Sequence, residues 1–213
     1  MKKALIFLLL VALLVCTAAC GTKPTATTTG ATTEAPTVGN SNAEVCRTLD
    51  ALARKSYRSV SLSAVVVTKD ATLPSTYQTT AESVSFSVTE VSRLPADEEF
   101  TDLPDGFLST IEGTATVESG KITGITADRE VSLPTYAILR GDFRFAENNF
   151  RGLTLGEGSF AGDVVTPSAF LSGTAGVSNM KVSITYTADA ITAATVSYTK
   201  GEISVTLTYT FTL

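Results

Sequence analysis

The sequence predicts a mainly β protein: an antiparallel curved sheet or half-barrel, preceded by one amphipathic helix and covered in part by a second, short one. Three observations carry this prediction. From Ser59 onward, apolar and polar residues alternate with period two in one run after another, as strands with one buried and one wet face require. A three- and four-residue apolar period stands before them, between Ser41 and Tyr57. A Thr166-Pro167 start and Gly173 bracket one further short helical stretch.

The chain opens differently. Met1-Lys2-Lys3 is positive, Ala4 to Val15 is unbroken apolar sequence, and Thr17-Ala18-Ala19 are small residues before Cys20. This is the layout of a secretory signal. About a dozen helical residues rise roughly 18 Å, short of the hydrocarbon core of about 30 Å, so residues 1–19 read as a cleaved signal rather than a span. Ala18-Ala19-Cys20 resembles the lipobox of bacterial lipoproteins, although Thr17 stands where that motif carries Leu, Val or Ile. The resemblance implies that the Cys20 thiol is acylated and that the lipid anchors the chain to a membrane, outside the cytoplasm. The other reading is ordinary cleavage after Ala19, leaving Cys20 a free thiol.

Composition narrows the function classes. Removing Lys2 and Lys3 with the signal leaves fourteen basic residues against twenty-one acidic ones, so the net charge goes from −5 to −7. Such a chain has no general attraction for nucleic acid or anionic head groups. With no His and only Cys16, Cys20 and Cys46, the usual zinc sets and the Ser-His or Cys-His nucleophile pairs cannot be built. The reading is therefore not an enzyme, with neither metal nor cofactor. Asp and Glu pairs exist, but no motif places one for glycoside chemistry.

Residues 20–40 are rich in Thr, Ala, Gly and Pro, with Lys23 and Glu34 their only charges. They lack the apolar side chains for a core and read as a tether, able to reach on the order of 65 Å when extended. A single domain is expected over 41–213. It begins with a Ser41-x-x-Glu44 capping box and a helix from Ala43 to Tyr57, with Val45, Leu49 and Leu52 on its apolar stripe and Cys46 beside it.

Strands follow. Val60, Leu62, Ala64 and Val66 alternate with Ser59, Ser61, Ser63 and Val65; Val84, Phe86 and Val88 alternate with Ser83, Ser85, Ser87 and Thr89; Ile111, Ala115 and Val117 precede a Ser119-Gly120 turn toward Ile122 and Ile125. Leu139, Phe143 and Phe145 alternate with Arg140, Asp142 and Arg144, predicting another strand. Met180 to Tyr186, Ala194 to Tyr198 and Ile203 to Leu213 make a three-stranded antiparallel meander with turns at Asp189 and Lys200-Gly201. Roughly eight to ten strands are expected in all. Gly152, Gly156, Gly158 and Gly162 are spaced to mark bends in the sheet.

Between Leu94 and Gly106 the alternation stops, and Asp97, Glu98, Glu99, Asp102 and Asp105 accumulate. Five carboxylates could hold calcium, but the spacing matches no EF-hand loop, and a solvated acidic loop is the ordinary reading.

One good helix and one short one are few for so much apolar sheet. Either the sheet closes on itself as a sandwich or barrel, or it curls as a half-barrel with the helices in its mouth. The element order of a tethered lipoprotein with a leading helix, long alternating strands, a Pro-initiated helix and a terminal meander resembles the LolA/LppX-like carriers of lipids and lipoproteins. That resemblance implies an apolar cavity that binds a lipid or acylated molecule, lined here by Phe86, Phe143, Tyr186, Tyr198, Leu207 and Tyr209. The alternative is that these residues form a packed core. The domain is then a structural or protein-binding module that meets an envelope protein.

Overall fold

The structure, a computed structural model, describes residues 41–91 and 108–213. The signal and tether over 1–40, Cys20, and the acidic stretch 97–105 lie outside the described residues.

Helix α1 (Asn42–Ala53) is capped by Ser41, whose hydroxyl accepts from the Glu44 backbone N–H at 3.3 Å. Val45, Cys46, Leu49 and Leu52 form its buried stripe. The helix ends at Ala53 rather than Tyr57. Tyr57 instead leaves the helix and turns inward, donating from its hydroxyl to the Leu52 carbonyl at 3.0 Å and accepting from the Ile191 N–H at 2.9 Å.

Five strands follow: β1 (Ser59–Val67), β2 (Thr72–Thr79), β3 (Ser83–Val91), β4 (Leu108–Glu118) and β5 (Lys121–Ala127). After helix α2 (Tyr136–Arg140) and a 3-10 turn at Glu147–Asn149 come β6 (Phe150–Gly156) and β7 (Ser159–Val164). Helix α3 (Pro167–Phe170), β8 (Ser178–Tyr186), β9 (Ile191–Lys200) and β10 (Ile203–Thr212) complete the order. All ten strands join one antiparallel sheet in the order β5-β4-β3-β2-β1-β10-β9-β8-β7-β6. The sheet is open, with β5 and β6 at its edges. A closed barrel and a two-sheet sandwich are therefore both set aside.

The order has a simple logic. One meander runs outward from β1 to β5, and a second runs inward from β6 to β10. Residues 128–149 must carry the chain from one edge to the other.

Period two fixes which side chains meet. Ala127, Gly113, Phe86, Tyr77, Leu62, Tyr209, Ala194, Ile184, Phe160 and Leu155 form one register row across all ten strands. That row belongs to the apolar inner face, and Leu62, Tyr209, Ile184 and Phe160 are fully buried in it. Gly113 has no room for a side chain: a Cβ there would run into the Thr126 carbonyl and lie 2.6 Å from Phe86 Cζ.

The strand expected around Leu139, Phe143 and Phe145 does not form. Thr135 caps a helix instead, its hydroxyl accepting from the Ile138 N–H at 3.4 Å, and Gly141 closes it in the left-handed region at φ 62°. Beyond it, Phe143 makes only an isolated bridge to Leu171. The segment lies over the apolar face with Phe143 and Phe145 buried, so its alternation has the strand signature without the sheet. Pairing with Phe143 also takes Leu171 out of α3, which ends at Phe170 rather than at Gly173. Gly152, at φ 58°, sits in the register shift between Arg151 and Thr154, where the extra residue of a bulge needs it.

Candidate functional site

The six residues expected to line a cavity share the inner face, and packing there is the first question. Phe143 is 2% exposed, stacked on Phe170 at 5.0 Å between ring centroids and edge-on to Tyr209 at 5.2 Å. Phe145, Phe150, Phe160 and Phe170 continue the cluster, each within 5.9 Å of another member. Tyr209 is fully buried, and its hydroxyl donates to the Ile138 carbonyl at 2.9 Å, tying the sheet to α2. Burial pushes this phenol far above the ordinary tyrosine range, with the neighbouring Tyr198 adding to the effect. Phe86 and Leu207 are buried as well.

Tyr186 and Tyr198 are half-buried and pack against the same core. With Val66, Leu73 and Val205, Tyr198 belongs to the end of the inner face away from Phe211, where every one of these residues is only half-buried. Burial raises the Tyr198 phenol too.

What fills the rest of the inner face comes from the chain itself. α1 packs on β9 and on the 3-10 turn, and α2 packs on β1 and β2. Asp50 of α1 holds the crossing segment, accepting the Phe145 N–H on Oδ1 at 3.2 Å while its other oxygen binds Arg54. Asn149 fixes the far end with a pair of bonds to the Thr166 backbone, at 2.7 and 3.2 Å. Cys46 is buried on the inner stripe of α1, and burial, then the Glu147 charge, push its thiol up, which favours the protonated form.

Of the six expected lining residues, Phe86 borders one of four clefts bounded by described residues. One, of about 440 Å³, lies between the end of α1 and α2, bordered by Arg54, Lys55, Tyr57, Tyr136, Arg140 and Asp142 among others. Its neighbour, about 430 Å³, runs along Ile122, Leu133, Pro134 and Tyr136. A third, about 340 Å³, is bordered by Arg151, Asp163, Asn179 and Lys181. The fourth, about 360 Å³, is a trough over β1, β2 and β3 lined by Ser61, Thr76, Gln78, Ser85 and Ser87, with Phe86 beneath. Among the described residues no three His, Cys, Asp or Glu side chains come together as a metal would need.

The trough belongs to a wider pattern on the outer face. Thr126, Thr114, Ser85, Gln78, Ser61 and Thr210 stand in one register row, and Ser87, Thr76, Ser63, Thr208, Thr195 and Ser183 in the next. The outward positions of β3, β2, β1, β10 and β9 carry no charged side chain. Sequence reading found the alternation but not this consequence, which needs the strand order.

The fold thus defines a class: an open, all-antiparallel ten-stranded sheet whose inner face is packed by its own helices and crossing segment. Compared with models of known protein families and with curated proteins, the chain matches none.

Proposed function

We propose that this chain is a lipid-anchored module of a bacterial envelope, tethered through acylated Cys20 and residues 20–40, whose sheet curls as a half-barrel around its own helices. It meets an envelope protein through its outer surfaces and carries no lipid cargo inside. One observation carries this reading over the lipid carrier: Phe143 and Tyr209 are in ring-to-ring contact with each other and with further aromatic residues. An acyl chain would have to displace those contacts, each worth about 0.5–1.5 kcal/mol beyond its buried area. The signal layout and the tether composition support the anchor.

Native mass spectrometry of the protein taken from its own membranes, followed by solvent extraction, tests both parts. The expected result is a covalent acyl group on Cys20 and no second lipid in stoichiometric amount. One bound lipid per chain would overturn the filled interior, and an unmodified Cys20 would overturn the anchor.

A further inference from the structure

Beyond that reading, and independent of it, the cleft between the end of α1 and α2 has the makings of a binding site. It is about 440 Å³, within the range of small-ligand pockets. Three cationic side chains border it, Arg54, Lys55 and Arg140, against one carboxylate, Asp142. That local excess of positive charge occurs in a chain whose net charge is −5.

The pairing of those cations is uneven. Arg54 is bound by Asp50 at 2.7 Å. Arg140 is half-buried and donates to the Tyr57 carbonyl at 3.0 Å and the Thr79 carbonyl at 3.5 Å, while Lys55 donates to the Asp189 carbonyl. Among the described residues neither Arg140 nor Lys55 has a carboxylate within ion-pair distance. The carbonyl bonds hold the two cations in place without neutralising them. A guanidinium has five N–H donors in a fork suited to phosphate and carboxylate oxygens, and these two bonds use only part of that capacity. Next to this cluster Thr79 Oγ1 is buried with no hydrogen-bond partner among the described residues. It sits opposite Val60, whose partner on the other side, Phe211, borders the cleft. Tyr57, Tyr136 and Phe211 supply apolar wall beside the charges.

We infer that this cleft binds a phosphate group, with Arg140 and Lys55 as its ligands and the tyrosines flanking the group that carries it. The phosphate could belong to a soluble phosphate ester or to a lipid head group, and the experiment separates them. The full chain carrying Cys20→Ser, so that no acyl anchor contributes, is titrated with inorganic phosphate and with glycerol 3-phosphate at low salt. It is then sedimented with vesicles of phosphatidylglycerol and, separately, of phosphatidylcholine.

The expected result is saturable binding weakened about tenfold by Lys55→Gln and largely restored by Lys55→Arg, the size of one lost charge-assisted bond. Saturable binding of the soluble probes assigns an ester. Binding confined to phosphatidylglycerol vesicles, with the same Lys55 dependence, assigns a head group. Because Arg140 also holds two backbone carbonyls, Arg140→Lys, rather than removal of the charge, is the second variant, with its thermal midpoint measured alongside. No saturable binding to any probe would overturn the inference. So would binding that Lys55→Gln and a folded Arg140→Lys both leave unchanged.

Discussion

Replacing Phe143 by Ala asks directly whether the inner face is core or cavity. The ring is 2% exposed and contacts Phe170, Tyr209, Phe211 and Phe145 at centroid distances of 5.0, 5.2, 6.2 and 6.3 Å. Deleting a buried phenylalanine side chain costs about 3–5 kcal/mol, because lost transfer energy adds to a cavity that only partly collapses. The neighbours are four aromatic rings drawn from α3, β10 and the crossing segment, and they leave little room for collapse, so the upper half of that range is expected. For a domain of this size each kcal/mol shifts the midpoint by about 2–4 °C, giving a fall of about 8–20 °C. Far-ultraviolet circular dichroism on heating and in urea measures it, and the denaturant slope should stay at its original value. A loss under about 1 kcal/mol with an unchanged slope would refute the reasoning, since it would mean that the ring faces replaceable solvent or ligand.

Three further outcomes follow from particular contacts. Gly113→Ala drives a methyl group into the Thr126 backbone carbonyl and to 2.6 Å from Phe86 Cζ, so overpacking should cost about 1–3 kcal/mol, read by the same unfolding curves. Burial raises the phenols of Tyr57, Tyr77, Tyr198 and Tyr209 above their unfolded value of about 10. The folded state therefore holds protons that the unfolded state releases, so stability is intact below about pH 10 and falls above it, by up to about 1.4 kcal/mol per pH unit for each group. Urea midpoints from pH 8 to 11 should show the fall, and Tyr209→Phe should reduce its slope. The Cys46 thiol, buried and with its pKa pushed up, should resist alkylation at pH 8 in the native chain and react at once in urea; equal rates in the two states would contradict its burial.

Much of the sheet is readable from the chain alone. The terminal meander appears where alternation and the Lys200-Gly201 turn place it, because each strand there has one buried and one wet face and short turns leave no choice of partner. The crossing segment is not readable in the same way. Phe143 and Phe145 alternate as in a strand, but local signals at Thr135 and Gly141 make the helix, and the two rings are buried against α3 and the sheet's inner face, partners far away in sequence. The candidate phosphate cleft was equally hidden. Arg140 is separated by more than eighty residues from Tyr57 and Arg54, and no spacing rule relates them until α2 is seen beside the end of α1. The uncharged outer face was half visible: each strand's hydroxyls show in the sequence, while their continuity across five strands depends on the pairing of β1 with β10.

That pairing also sets an order of events. Each meander consists of neighbours in sequence and can zip locally, whereas the seam between β1 and β10 joins Val60 to Phe211 and Val67 to Ser204, nearly the whole domain apart. Contacts of such separation are slow to form, since the loop must close before they reward it. Until β10 arrives, the middle of the sheet is two unpaired edges, β1 and β9, with Leu62 and Val196 open to water. A chain delivered from one end to the other therefore acquires its hydrophobic centre last, and a nascent or truncated copy lacking β10 would be a pair of exposed sheet edges in search of a strand.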